Sequence, residues 1–463
     1  MATPQPTPEI QASPGTWNLA YGPNQFTVVN TGPGTPKFVL QIWTADGITK
    51  IAEVRQQGNL AGVAHFDVAK ILQGQVIGNQ SLTGEQIDIV TSENEVFEYI
   101  AKAGFVNNQG IAVITDEVTG YKVINGRKRF DDLTWANQTQ WISRYTQQGS
   151  GLHTRTRQAD WLTDWNNFKN ISSFTDGVPA GLNNDTQVQV HDIEPTDYFT
   201  LSAINEAQLE TGGADDALPI GRFRIVSFNG STQLDDITVD NLLGDGGGPN
   251  YVQCINQPNE QPYWCLSFPC GPAQIFLSSG WTHYYVWAVP VSTTIIGCTG
   301  LYPMLYAHRF NRYEGECNDY SHVQVSWLNS LGFRDYFSFD KRHDQNLTVK
   351  RNEYYEVPGT WNSGNFNINN YDRGRRVFSQ QVEETWTLTS RYLTEDEYLF
   401  LKNMILSPDI QVRFEAVPEY SSDEWMAATI QTSRWTDLSY RKQKMFQMQL
   451  EIKIANNIET QRG

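Results

Sequence analysis

VQVSWLNSLGFRDYFSF, residues Val323 to Phe339, is the stretch that decides the fold class. Val323, Val325 and Trp327 alternate with Gln324 and Ser326; after Asn329–Gly332, Phe333, Phe337 and Phe339 share one parity against Arg334 and Ser338. A period of two in aromatic and β-branched residues, broken once at Asn-Ser-Leu-Gly, reads as two antiparallel strands around a tight turn. Leu347 to Val357 reads as a third strand added to this hairpin. The hairpin is taken as the start of a C-terminal domain, residues 318–463.

Working outward, the same domain carries a strand at Val382–Ser390, with Trp386 and Leu388 on one face. Thr394 and Glu397 stand at the spacing of a capping box, with Leu393 and Tyr398 as its hydrophobic staple. The predicted helix, 394–406, sets Tyr398, Leu401 and Ile405 on one face and stops at Ser407-Pro408. Ile410, Val412 and Phe414 follow as a strand. Phe446, Met448, Leu450, Ile452 and Ile454 alternate with Gln447, Gln449, Glu451 and Lys453, which predicts one buried and one wet face.

Upstream, residues 16–130 read as one sandwich of short strands. Phe38, Leu40 and Ile42 alternate with Val39, Gln41 and Trp43; Asp46-Gly47 is a hairpin signal and Ile48–Val54 returns. Asp67 can cap a short helix, Val68–Leu72, with Gly74 past its end. Glu85–Val90, Val96–Phe105 and Ile111–Ile114 supply further strands. Residues 131–317 form a middle β-rich region with irregular insertions and strands at Val188–Val190, Tyr198–Ser202, Arg222–Asn229 and Trp281–Val291. Gly244–Pro249 lacks the spacing of a phosphate cradle. The expected fold class is mainly β and multidomain: immunoglobulin-like β-sandwiches, then a C-terminal β-sandwich or barrel with one packed helix.

Composition narrows the function. The 463 residues are 12% aromatic, with a net charge of −17. Such an acid chain repels a phosphate backbone, so no sequence-specific nucleic-acid contact is expected. The short basic runs Gly126–Arg129 and Arg373–Arg376 read as solvated loops or contacts to acidic neighbours. No apolar run reaches the roughly 18 residues a membrane span needs. Residues 1–15, rich in Pro and Thr, read as an extended arm, disordered or laid over a neighbouring subunit, and not as a signal peptide.

The five cysteines, Cys254, Cys265, Cys270, Cys298 and Cys317, cannot all pair internally. A zinc site would recruit His283 or His308, but no C-x2-C knuckle is present, so they read as buried free thiols in a reducing compartment. The remaining histidines, His65, His153, His191, His322 and His343, show no ligating spacing. Hydrolase and deaminase signatures are absent, and neither catalytic, metal-ligating nor cofactor-binding residues are assigned. One carboxylate pair is a candidate: Asp160 and Asp164, beside Trp161 and Trp165, stand at i, i+4 if helical and could stack on and cleave a sugar. An amphipathic turn with both Trp in the core is the preferred alternative.

Several segments together resemble virion structural proteins of tailed bacteriophages infecting Bacteroidetes, including the crAss-like group. They are Lys37–Trp43, Ile51–Val54 and Gly62–Leu72 with Gly84-Glu85-Gln86; Asp160–Thr163 and Pro269–Pro272; Glu316–Tyr320 with Trp327–Phe339; and Trp386-Thr387-Leu388, Val412-Arg413-Phe414 and Trp435. Gly332-Phe333-Arg334 departs from the Gly-Gly-Phe-Asp type of turn expected there. The resemblance implies a tail-tube-like C-terminal fold and a structural, non-enzymatic role in tail, neck or baseplate. It implies assembly in the host cytoplasm into a homo-oligomeric ring, sixfold or twelvefold, against portal or neck rings, tail tube or fibres. The alternative is a receptor-binding or fibre-attachment protein that contacts host glycans through exposed Trp and Tyr.

Overall fold

A computed structural model of the chain describes residues 5–78, 89–90, 95–127, 160–165, 167–182, 186–204, 220–241, 265–290, 306–313, 322–362, 364–370, 374–415, 424–432 and 446–455. The chain is mainly β, in several sheets. It divides into two compact units: Met1–Glu314 with Trp327–Tyr336 and Leu399–Ser407, and Gly315–Ser326 with Phe337–Tyr398 and Pro408–Gly463.

The first unit opens with a sandwich. One face is a three-stranded sheet, in the order Pro8–Ala12, Gln25–Asn30, Val63–Asp67. The other has five strands, in the order Trp17–Leu19, Ala112–Ile124, Val96–Val106, Lys37–Thr44, Lys50–Gln57. Phe26, Val28 and Phe66 from the first sheet meet Phe38, Leu40, Ile42, Tyr99 and Tyr121 from the second in one core. The rings of Phe26 and Tyr121 cross edge to face at 5.4 Å, a favourable aromatic geometry. Gly47 takes a positive φ of 69° at the Asp46-Gly47 turn, as that turn requires. The helix is Ala69–Gln73, with Gly74 at its C-cap; its N-cap is Val68, not Asp67, and has no side-chain cap bond, while Asp67 Oδ1 accepts from the Ala69 amide at 3.0 Å.

Two expected elements meet this sandwich. Pro8–Ala12 pairs antiparallel with the strand Gln25–Asn30 of its own chain, Pro8 opposite Asn30. Ile10 supplies the reason, since it packs against the sandwich core while its amide donates to Asp116 Oδ2 at 2.7 Å. Of the expected strand Glu85–Val90, only Ile89 and Val90 are described, and Val90 bridges Ser267.

The middle of the same unit is again two facing sheets. Six strands run in the order Phe168–Asn170, Gln187–Ile193, Tyr306–Arg312, His283–Pro290, Ile220–Asn229, Thr232–Asp240. The order Cys265–Pro269, Thr200–Ile204, Asp160–Trp161 makes the three-stranded sheet. Phe223 of the larger sheet stacks on Phe268 of the smaller with centroids 4.5 Å apart. Gly244–Pro249 lies outside the described residues.

Strands Val323–Leu328 and Arg334–Phe339 form as read, and both parities are buried, including Gln324, Ser326 and Arg334. Asn329 builds the turn between them: its Oδ1 accepts from the amides of Leu331 at 2.9 Å and Phe333 at 3.0 Å. The hairpin opens a seven-stranded sheet, in the order Arg334–Phe339, Val323–Leu328, Ile410–Phe414, Met426–Ile430, Gln449–Ile454, Arg375–Thr389, Asp344–Tyr355. The strand after the hairpin is therefore not its neighbour. Asp344–Tyr355 pairs with Arg375–Thr389 at the opposite end of the sheet, because the long partner's register satisfies all of its residues. Gln449–Ile454 shows the expected alternation, with Leu450, Ile452 and Ile454 buried. The helix, Glu395–Met404, begins on the capping box: the Thr394 amide donates to Glu397 Oε2 at 2.8 Å and the Glu397 amide donates to Thr394 Oγ1 at 3.3 Å. Trp435 lies outside the described residues.

Candidate functional site

Two features set apart the second unit's long strand pair. Asp344–Tyr355 and Arg375–Thr389 run antiparallel from Asp344 opposite Thr387 to Tyr355 opposite Arg375. Among the described residues, the neighbouring strand Gln449–Ile454 reaches only Thr385–Thr389 of this pair. From Glu384 to Arg375 the pair is, among the described residues, a two-stranded ribbon, about 30 Å long at the rise of a strand. A ribbon of this kind is marginal in water without a third strand or a packed face.

The ribbon and the loops at its far end also carry apolar side chains into solvent. Leu347, Tyr354, Tyr355, Val357, Phe366 and Phe378 are all exposed, Tyr355 by 76% and Phe378 by 73%. Phe378 is thrust out by a bulge: the register shifts between Asn352 and Glu353, so Ser379 and Val377 are paired and Phe378 is not. Near its root the ribbon is well tied. Trp386, buried, donates its indole N–H to Glu384 Oε1 at 2.7 Å, and Gln345 Nε2 donates to the same oxygen at 2.8 Å. Farther out, Glu353–Arg375 at 3.7 Å and Glu356–Arg376 at 2.5 Å cross the strands. These exposed pairs contribute little stability, so they set register more than they hold the ribbon. Arg375 and Arg376 thus meet carboxylates of their own chain; Arg373 lies outside the described residues. Arg127, of the other basic run, donates Nη2 to Asn403 O at 3.0 Å.

The sugar-cleaving arrangement is not built. Residues 160–165 are not helical: Asp160–Trp161 pairs with Thr200–Ile204 and the chain bends at Asp164. Trp161 and Trp165 are buried, so neither offers a stacking platform. Trp165 Nε1 donates to Val190 O at 2.9 Å, which fixes it in the core. Asp164 has a carboxylate partner that local spacing does not reveal, Asp335. Asp164 accepts from the Ser330 amide at 2.8 Å and from Ser330 Oγ; Asp335 accepts from Thr163 Oγ1 at 2.6 Å and from the Asp164 amide at 3.0 Å. Both carboxylates are 1% exposed, which leaves no room for a substrate.

The histidines hold a second surprise. His191 Nε2 and His308 Nδ1 lie 3.0 Å apart, both buried, among Trp161, Trp165, Phe199 and Phe310. Burial holds both rings neutral: it lowers His191 to about 3 and His308 well below its ordinary range. Neighbouring strands in parallel register bring them together, Gln189 opposite His308 and His191 opposite Phe310, a pairing with no local sequence signal. His283 Nε2 bonds Gly177 O at 3.0 Å. Among the described residues no cluster of His, Cys, Asp and Glu could hold a metal. Cys265 and Cys270 are buried free thiols, and burial pushes the Cys270 thiol up; Cys254, Cys298 and Cys317 lie outside the described residues.

No protein-family model matches the chain, and no curated protein matches it. Among solved structures, it is similar to a 1.5-MDa bacterial ice-binding adhesin from a study of host cell surface retention. That likeness has 9% identity, covers 84% of this chain and 92% of the other, and has a TM-score of 0.18. A second likeness is to the N-terminal four Ig domains of Dscam1 isoform 4.4. It has 8% identity, covers 83% and 96% of the two chains, and has a TM-score of 0.16. At these TM-scores neither likeness carries an argument about this chain.

Proposed function

We propose that this chain is a structural subunit of a tailed-phage virion, which forms an oligomeric ring in the tail, neck or baseplate and acts through assembly contacts. The observation that carries the reading is the ribbon, apolar at its outer end and, among the described residues, two strands thick. A lone ribbon gains stability when another surface covers it, and assembly supplies that surface. The acid charge suits a protein whose partners are proteins rather than nucleic acid. The segments that resemble phage virion proteins support the same reading, with the ring sixfold or twelvefold. It needs no catalytic group, and both buried carboxylates and both buried imidazoles have work inside the fold.

Imaging of intact particles that contain the chain tests the proposal directly. The expected result is density for this fold in a ring, with the ribbon against a neighbouring subunit. Absence of the chain from particles, with the purified protein a monomer, overturns it. A second reading, a receptor-binding module, is favoured by Tyr354, Tyr355 and Phe366 at the exposed end of the ribbon. Glycan binding by the isolated protein that Tyr355→Ala abolishes would select it.

A further inference from the structure

Asp164 and Asp335 occupy one buried polar cluster. Residues 162–165 face the turn 329–333 across it, and four of its hydrogen bonds end on the two carboxylates. Asn329 adds a fifth link, donating from Nδ2 to Leu162 O at 2.8 Å. The donors from residues 162–165 and from the turn are Thr163, Ser330, Asn329 and backbone amides, none of them charged.

The neighbouring cations are engaged elsewhere. The Arg127 amide donates to Ser330 O at 2.7 Å, but its guanidinium donates to Asn403 O. Arg334 precedes Asp335 on its strand and is buried, yet no nitrogen of Arg334, or of any described Lys, Arg or His, lies within the 4.0 Å of an ion pair with either carboxylate. The thiol of Cys265 packs with Leu162, Leu331 and Phe333 in the adjoining apolar cluster. Two carboxylates in such a place cannot both ionise at low cost, because burial takes both out of bulk solvent and no described cation pairs with either.

We infer that Asp164 and Asp335 form a proton-held clasp: one retained proton keeps the turn 329–333 seated on residues 162–165, and loss of that proton loosens the seat. Protonated Asp335 can donate to Thr163 Oγ1 across the same 2.6 Å contact, while Asp164 keeps both bonds from Ser330. Burial first, and then the charge of Asp164, push the Asp335 carboxyl up from 3.8 to about 7. A carboxyl raised on folding stabilises the closed form fully below the ordinary Asp range. That stability is lost as pH climbs towards 7 and stays lost above it.

Hydrogen exchange at the amides of Asp164 and Ser330, corrected for the intrinsic pH dependence, reads the clasp. Protection is expected to fall by up to about tenfold per pH unit between about 4 and 7 and then to level. In Asp335→Asn, whose carboxamide does not titrate, the profile is expected to be flat. A flat wild-type profile, or an Asp335→Asn profile as steep as the wild type, overturns the clasp. Should Asp335→Asn fail to fold, carbon-13 carboxyl shifts of the wild-type protein decide the matter. One Asp signal is expected to remain protonated at a pH of about 5.5, well above the ordinary Asp range; ionisation of every Asp below that overturns the proposal.

Discussion

Tyr355 and Arg375 are the last register partners of the ribbon, with the guanidinium 5.0 Å from the centre of the phenol ring and hydrogen-bonded to its hydroxyl. Both side chains are exposed, so the pair finishes the ribbon with a polar clamp on an apolar surface.

That surface is expected to serve assembly and not the fold. Phe378→Asp changes a side chain that already stands in water, so the unfolding free energy should move by no more than about 0.5 kcal/mol. The same substitution should shift sedimentation of the protein from oligomer to monomer. Unchanged sedimentation would count against the ribbon as the assembly contact.

The start of the helix Glu395–Met404 offers a graded test. Thr394→Ala removes one half of the capping box and should cost about 1 kcal/mol in urea unfolding. Glu397→Ala should cost more, about 3 kcal/mol, because Glu397 both returns the bond to the Thr394 amide and accepts from buried Arg391 at 2.8 Å. Equal losses would show that the Arg391 contact adds nothing.

Gly332 meets two constraints at once. Its φ is +83°, and a Cβ there would lie 2.4 Å from Asn125 O. Gly332→Ala should therefore cost about 1–3 kcal/mol through backbone strain, with more from the clash. A midpoint in urea equal to the wild type would contradict the turn geometry.

His191 and His308 predict acid sensitivity. Both rings titrate below their unfolded value of about 6.5, so the unfolded chain takes up protons first as pH falls. The stability they contribute is complete above about 6.5 and is lost as pH drops from there towards about 3. Thermal midpoints should fall across that window. Nitrogen-15 spectra at a pH of about 5 should still show two neutral imidazoles. Imidazolium signals assigned to His191 and His308 would refute it. The slope is opposite in sign to that of the Asp335 clasp, so local exchange separates the two.

What was legible in the sequence was local. Periodicity in 323–339 and 446–454 reports which residues a pleated strand can bury, and Thr394 with Glu397 reports a helix start that is complete within one turn. Asp164 could be singled out for its Trp neighbours, but not its true partner. Asp160 was the nearer carboxylate in the chain, whereas Asp335 was brought near by the hairpin turn.

Taken alone, the amino-acid order determined the β class, the hairpin and its turn, the capped helix and the absence of hydrolase motifs, since each depends on residues a few positions apart. Tertiary structure decided the rest. It sent Asp344–Tyr355 to the far end of its sheet and drew Pro8–Ala12 into the first sandwich. It also joined His191 to His308 and Asp164 to Asp335. The reason is that strand order and burial depend on which distant surfaces exclude water from one another, and that choice is made by the whole chain rather than by any stretch of it.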